Sequence, residues 1–535
     1  LYVHELVTLG GYVGHSLVRM FVALAISVLF ALSYGIIAAR SRNAEKVLIP
    51  LLDIFQSVPI LGFFPAAVLF FVGLFGEGGP GVEIAAIFLI FTSMAWNLAF
   101  AVYEAVSVIP KELDEVSQAF RLRGFLRLRT EIIPICIPKL VYNGIMSWAG
   151  GWYFLVASEI ISLGSVSHRL PGIGSFIGDA AYAGNIPAAL DGLLALVLTI
   201  LLIDLLLWRP LELYANRFRY EFAGGHQAAP AALPFLHHFL ARSTKLAPGR
   251  FAHLVHIFFA KMFSAIAHFA SAFHRILRPH LPLALSALAV IAIGFALYRL
   301  SLGPPTVVAL PTVTSDEWAL ISAIPFGLLS SGARIFVAYG IALAWTLPVG
   351  VLIARNERLF QLGMPVFESL ASMPATALFP LVFVMLIGLP FGQELATLVL
   401  LLTGMQWYLL FNVIGGVRSI PEDFEEAAKA FNLRGTAYWR YVLLPAIFPA
   451  LITGSITAWG GGWNALIVSE YITFGGKTYA TLGIGALLDE ATYKLGSVTV
   501  MLVVILAMSL TVVIVNRLLW RRMYHKACTK YAFNY

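Results

Sequence analysis

Apolar runs, most of them about as long as a bilayer crossing, alternate along this chain with polar loops. They lie at about residues 17–39, 47–75, 83–108, 132–163 and 188–208, then at 281–300, 332–354, 359–388, 395–417, 441–473 and 495–519. A helix needs about 20 apolar residues to cross a hydrocarbon core. The pattern therefore predicts an all-α polytopic membrane protein with about five spans followed by six. Several runs exceed about 25 residues and contain Pro59, Pro65, Pro374 or Pro380, which predicts tilted or broken helices there. Lys and Arg fall on alternate loops: Arg40, Arg42 and Lys46, then Lys111, Arg121, Arg123, Arg127 and Arg129, with none at Gly76–Gly81. Basic loops stay cytoplasmic, so the charges orient every span.

The pattern repeats. Ile37-Ala38-Ala39-Arg40 recurs 315 positions later as Leu352-Ile353-Ala354-Arg355, and Ser57-Val58-Pro59 as Ser372-Met373-Pro374. After a loop four residues shorter, the offset becomes 311: Trp96 matches Trp407, Pro134 matches Pro445, and Gly150-Gly151-Trp152 matches Gly461-Gly462-Trp463. Both copies have the same orientation by charge, so they form a parallel duplication about an axis along the membrane normal. The copies divide the chain into a first unit at 1–220, a cytoplasmic linker at 221–280 and a second unit at 281–535. The second unit has an extra leading span at 281–300. Because the chain begins at Leu1 rather than Met, the corresponding helix of the first unit is expected to have been trimmed from the front.

Composition agrees with the pattern: 60% hydrophobic and 12% charged residues, with a mean hydropathy of +0.86. These values exclude a soluble enzyme, because soluble domains carry about 25% charged residues. The net charge of +7 is accounted for by the cytoplasmic loops, and no nucleic-acid partner is needed. Two cysteines, Cys136 and Cys528, make no disulfide framework. In the linker, residues 250–278 read as an amphipathic interfacial helix with a His-rich polar stripe and a Phe-rich opposite face. No Cys or carboxylate joins those histidines after Glu221, so a solvated face outweighs a metal site. Gly476-Lys477-Thr478 ends like a phosphate-binding loop, but position 471 is Tyr where glycine is required, and the segment lies outside by the charge rule.

Two matched cytoplasmic loops carry the functional signal. The second reads Ile420-Pro421, Glu426-Ala427-Ala428, Asn432-Leu433-Arg434-Gly435 and then Leu443-Leu444-Pro445. The first reads Ile109-Pro110, Glu115, Ala119-Phe120-Arg121-Leu122-Arg123-Gly124 and then Pro134. Each reads as a short helix, a glycine break and a second short helix at the membrane surface. Here the sequence resembles the permease subunits of binding-protein-dependent ABC importers, whose loop runs Glu-Ala-Ala, three residues, Gly, about nine residues, Ile-x-Leu-Pro. Counting back from the proline, the family glycine falls on Asn432 and Arg121, while this chain has glycine three residues later. Pro59, Pro65 and Gly73, with Pro374, Pro380 and Gly388, look like the nitrate/sulfonate/taurine branch. So does the outer loop Leu170-Pro171-Gly172-Ile173-Gly174, echoed by Leu482-Gly483-Ile484-Gly485.

The resemblance implies a pair of type I importer units fused in one chain, in a prokaryotic inner membrane. It implies two ATP-binding subunits on the cytoplasmic side, carrying the ATP and Mg²⁺, and an extracytoplasmic solute-binding protein delivering a small anion or organic acid. The chain itself would bind no cofactor or metal. The coupling residues would be Glu115, Ala119, Arg123, Gly124, Glu426, Ala427, Ala428, Arg434 and Gly435. A secondary transporter with parallel repeats, or a membrane scaffold or sensor, remains the alternative. A last constellation lies in the membrane: Trp148, Trp152, Ser158 and Glu159, repeated as Trp459, Trp463, Ser469 and Glu470. A carboxylate at that depth must face protein or water. These faces are expected either to confront each other across the pseudo-twofold axis and gate the path, or to be satisfied by neighbouring helices.

Overall fold

A computed structural model describes residues 2–218 and 314–529, apart from breaks at 58, 76–79, 110, 123, 161–169, 475–476 and 528. The expected interfacial helix at 250–278 and the leading span at 281–300 lie outside the described residues. The first half runs α1 (Tyr2–Arg40), α2 (Arg42–Ser57), α3 (Ile60–Phe75), α4 (Gly81–Ser107), α5 (Lys111–Ala119), α6 (Gly124–Arg127), α7 (Ile133–Ile160), α8 (Ile173–Tyr182), α9 (Ile186–Ile203) and α10 (Arg209–Ala215). The second repeats it as α11 (Ser315–Arg355), α12 (Glu357–Ala371), α13 (Ala375–Leu386), α14 (Gly392–Arg418), α15 (Glu422–Ala430), α16 (Gly435–Tyr438), α17 (Leu444–Ser469), α18 (Ile484–Asp489), α19 (Val498–Val515) and α20 (Arg521–Lys526). Each helix therefore corresponds to the one numbered ten higher. A hairpin of β1 (Tyr471–Phe474) and β2 (Lys477–Ala480) precedes α18, pairing Tyr471 with Ala480. Lys477 and Thr478 thus belong to a strand and do not open a helix, as a phosphate-binding loop would require.

Local chemistry sets the helix ends. Thr314 and Glu317 form a reciprocal capping box at the start of α11, with the Glu317 carboxylate accepting the Thr314 N–H at 2.8 Å. The Asn356 side chain accepts the Arg358 and Leu359 N–H groups and so opens α12. The apolar runs at 47–75 and 359–388 each divide, as their prolines predict, but only at Pro59 and Pro374; Pro65 and Pro380 stay inside α3 and α13. The products, α3 and α13, have 16 and 12 residues, too short to span about 30 Å at 1.5 Å per residue. Among the described residues, eight helices are long and apolar enough to cross, four in each half.

Helices α1, α4 and α7 pack together as the centre of the first half, and α11, α14 and α17 as that of the second. The short helices bridge the halves. Helix α3 packs on α4 of its own half and also on α17 and α19 of the other, while α13 packs on α14 and also on α7, α8 and α9. Two related hydrogen bonds mark these crossings: the Leu61 N–H to Asn464 Oδ1 at 3.3 Å, and the Thr376 hydroxyl to the Tyr153 carbonyl at 3.2 Å. Phe64 and Val68 of α3 lie in one apolar cluster with Trp463 and Met508.

Candidate functional site

Each cytoplasmic loop folds as a helix, a left-handed turn and a second short helix. Helix α15 ends where Phe431 donates to the Ala427 carbonyl and Leu433 reaches back to Ala428 at 2.9 Å, closing around Asn432 with φ +52°. Helix α5 ends the same way: Phe120 donates to Val116 and Leu122 to Ser117, around Arg121 with φ +54°. This closure uses a left-handed residue just past the helix, the position that glycine usually fills. Asn432 and Arg121 are the positions on which the sequence resemblance places the family glycine. The turn is kept without it. Gly435, three residues later, is also left-handed, at φ +54°.

The two loops are held to the long helices by different polar groups. In the second half the Arg355 guanidinium, at the end of α11, contacts Glu425 at 3.1 Å, bonds the Tyr438 hydroxyl and lies 4.4 Å from the centre of the Tyr438 ring. Tyr438 in turn donates to Glu425 at 2.5 Å. A cavity of about 300 Å³ opens beside this triad, lined also by Lys429, Arg434 and Trp439. In the first half the corresponding clamp is Glu131, which accepts from Ser117 at 2.6 Å and from Arg127 at 2.7 Å. Of the sequence-predicted coupling residues, Glu115, Ala119, Glu426, Ala427, Arg434 and Gly435 are exposed, while Ala428 is buried against the long helices. Gly124 opens α6. Arg123 lies outside the described residues. Beside that set, Phe120 and Phe431, the aromatic members of the Ala/Phe face that the loop sequences offer, are 75% and 78% exposed at matched places on the turns.

The Trp and Glu faces of α7 and α17 are not brought together, which corrects the gating arrangement. Trp148 packs on Trp208 and Phe21, and Trp459 on Trp520 and Phe336. Trp152 and Trp463 are buried as well. The ring contacts of Trp148 and Trp459 thus lie within their own halves, whereas Trp463 shares an apolar cluster with Phe64 and Val68 of α3. The positions that bond to the other half are the adjoining Tyr153 and Asn464, roughly 100° round the helix from Trp152 and Trp463. Ser158 and Ser469 bond carbonyls of their own helices.

Both carboxylates are fully partnered. Glu159 accepts from Arg19 and Ser16 at 2.7 Å each and from the Gly174 N–H at 2.7 Å. Glu470 accepts from Arg334 and Ser331 at 2.7 Å and from the Gly485 N–H at 2.8 Å. The same arginines bind Glu83 and Glu394 and donate to the Pro171 and Leu482 carbonyls. Each cluster ties the start of α8 or α18 to three long helices, α1, α4 and α7 or α11, α14 and α17, at their outer ends. Its chemistry is that of an anchor, its donors and acceptors taken up by one another among the described residues.

Residues 31–220 and 346–525 match the family described as the binding-protein-dependent transport system inner membrane component. The chain belongs to this family. The permease is similar to the nitrate import permease protein NrtB of Leptolyngbya laminosa, 30% identical over 217 residues, 38% of this chain and 74% of that one. It is 28% identical to the bicarbonate transport system permease protein CmpB of Synechococcus elongatus over 176 residues, 33% of this chain and 60% of CmpB. The taurine transport system permease protein TauC of Escherichia coli is 26% identical over 195 residues, 36% and 67% of the two chains. The chain thus spans about 60% of the length of CmpB. Both family matches contain one of the two matched helix–turn–helix loops, and together they cover the two structural halves of a multi-pass inner-membrane permease.

Sequence reasoning missed the arginine anchors, although the repeat holds their signal. Ser16 and Arg19 recur as Ser331 and Arg334 at the offset of 315, and Glu83 recurs as Glu394 at 311. Extending the match outward from Arg40 to Arg19 would have paired them. Phe120 and Phe431 pair in the sequence at 311.

Proposed function

We propose that the two halves form the membrane pathway of an ATP-driven importer for a small anion or organic acid. It is seated on two ATP-binding subunits by its docking loops and supplied by an extracytoplasmic solute-binding protein. ATP and Mg²⁺ belong to the ATP-binding subunits. The observation that carries this reading is the pair of exposed rings, Phe120 and Phe431, next to the exposed carboxylates Glu115 and Glu426 on matched turns. An aromatic side chain held in water on an ordered turn, flanked by charge, has the anatomy of an interface hot spot. Its duplication calls for two partner surfaces of one kind. The names of the relatives, which mention nitrate, bicarbonate and taurine, support the solute class.

Co-purification with the ATP-binding subunits and uptake in vesicles test the reading. Phe120→Ala with Phe431→Ala, or Glu115→Lys with Glu426→Lys, should weaken assembly or coupled ATP hydrolysis by about ten-fold or more, since a charge-assisted contact is worth about 1.5–3 kcal/mol. Unchanged coupling in both double variants, or ion-gradient-driven uptake by this chain alone, would overturn it.

A further inference from the structure

The cavity of about 300 Å³ beside the second cytoplasmic loop is walled by residues that the rest of the fold holds in place. Glu425, Ala428 and Lys429 stand at i, i+3 and i+4 on α15 and so share the face that lines it. Glu426 and Ala427, about 100° and 200° round the helix from Glu425, do not line it. Ala428 and Tyr438 are buried in one apolar cluster with Val351, Ile414 and Ile447, which fixes the floor. Arg355 closes one side. Its Nη2 bonds Glu425 and Tyr438, while its Nε and Nη1 bond nothing among the described residues. Lys429 and Arg434 are exposed and form no ion pair among the described residues. The lining therefore sets three cations against a single carboxylate, Glu425, an excess of two positive charges. The first half is built differently at the same places. At the offset of 311, Lys429 is replaced by Gln118, Tyr438 by Arg127 and Trp439 by Leu128. Arg127 is itself paired with Glu131 at 2.7 Å.

We propose that this cavity binds a phosphate monoester, at one site per chain, in the second half. A phosphate monoester carries about −1.5 to −2 charges near pH 7, which matches the excess of the lining. Nitrate or bicarbonate carries one charge and would leave the second cation uncompensated. The unbonded N–H groups of Arg355 and the Lys429 ammonium are charge-assisted donors of the kind that phosphate oxygens take. The Tyr438 and Trp439 rings provide apolar wall for the esterified group. At about 300 Å³ the cavity lies at the lower end of the range for small-ligand sites, so that group is small or continues outward. Two sources present this chemistry here. One is a soluble phosphate ester of the cytoplasm. The other is the headgroup of phosphatidic acid in the inner leaflet, since the apolar helix α17 begins soon after Trp439. A phosphate held between Arg355 and Lys429 joins the end of α11 to α15. It stiffens one cytoplasmic loop against its spanning helix and leaves the other free.

Equilibrium dialysis of the full chain in phosphatidylcholine nanodiscs, with radiolabelled phenyl phosphate as the probe, tests this. The wild-type chain should bind the probe at a single class of site. Lys429→Gln with Arg434→Gln should weaken binding about ten-fold or more. Arg42→Gln with Arg129→Gln, which removes the same charge from the first half, should leave it unchanged. Trp439→Leu should weaken phenyl phosphate more than inorganic phosphate, and nitrate should displace the probe far less well than inorganic phosphate does. Nanodiscs that also contain phosphatidic acid separate the two sources. Loss of probe binding there identifies the lipid headgroup as the occupant, and unchanged binding identifies a soluble ester. No saturable binding of the probe, equal losses in the two double variants, or displacement by nitrate as effective as by phosphate would overturn the site. Binding is measured without ATP-binding subunits, so this site and the importer reading fail separately.

Discussion

Arg19 is 1% exposed and contacts Ser16's partner Glu159, the half-exposed Glu83 and a loop carbonyl at once. Removing one member of such a buried set leaves a charge without its counter-charge, which costs about 3–5 kcal/mol, whereas removing both members is far milder. Arg19→Met should therefore lower the unfolding midpoint of the purified protein sharply, and Arg19→Met with Glu159→Gln should recover much of the loss, because Glu83 can turn to solvent. A double variant no more stable than the single would refute the electrostatic account. At the turns around Arg121 and Asn432 the same scale shows a different solution. Asn432 tolerates a left-handed backbone, while Arg121 adopts it at a cost of about 1–2 kcal/mol. The motif's glycine was absent from the sequence, yet hydrogen bonds from Leu122 and Leu433 still impose the turn.

At the scale of elements, α8 and α18 are set by a close approach of backbone to carboxylate. A Cβ at Gly172 would lie 2.1 Å from the Glu159 carboxyl carbon, and one at Gly483 equally close to that of Glu470. Neither carboxylate can retreat, since arginine, serine and backbone donors hold it. Gly172→Ala with Gly483→Ala should detach the outer loops, seen as faster proteolysis at the outer surface, while Gly150→Ala, which meets open space, should not. Slow, wild-type-like cleavage of the double variant would show that the anchor does not hold the loop. The outer Leu-Pro-Gly-Ile-Gly segment was visible as a repeat in the sequence. Its reason was not, because Glu159 and Ser16 are 143 residues apart in the chain.

Across the whole molecule, the halves also meet on the cytoplasmic side, where Glu368 of the amphipathic helix α12 comes within electrostatic reach of Asp204, Arg209 and Glu212 near α10. Crowding that strips water from the carboxyl, then the charges of Asp204 and Glu212, push the Glu368 carboxyl up to about 7 against the opposing pull of Arg209. The residue keeps an exposed surface, through which solvent screens these charges. A carboxyl whose pKa rises on association holds a proton there that it loses when separated. Its contribution is therefore complete below the ordinary carboxylate range and is lost as pH rises through about 7. Thermal unfolding between pH 5 and pH 8 should show this contact weakening, and Glu368→Gln should flatten that dependence. An unchanged slope in the variant would assign the pH response elsewhere.

The sequence by itself determined what depends on local length and on repetition. The long apolar runs specified spanning helices, Pro59 and Pro374 specified the broken ones, and constant offsets specified two parallel copies with two matched loops. Only the tertiary structure decided which side of each helix faces what. A spanning helix such as α19 is apolar all round, so no amphipathic period separates the core-facing side from the lipid-facing one. That is why the tryptophans of α7 and α17 invited a gating role, while the bonds to the other half fall on the neighbouring Tyr153 and Asn464. The contacts of α3 and α13 with the opposite halves and the pairing of Arg19 with Glu159 likewise join segments far apart in the chain, and no local pattern carries that information.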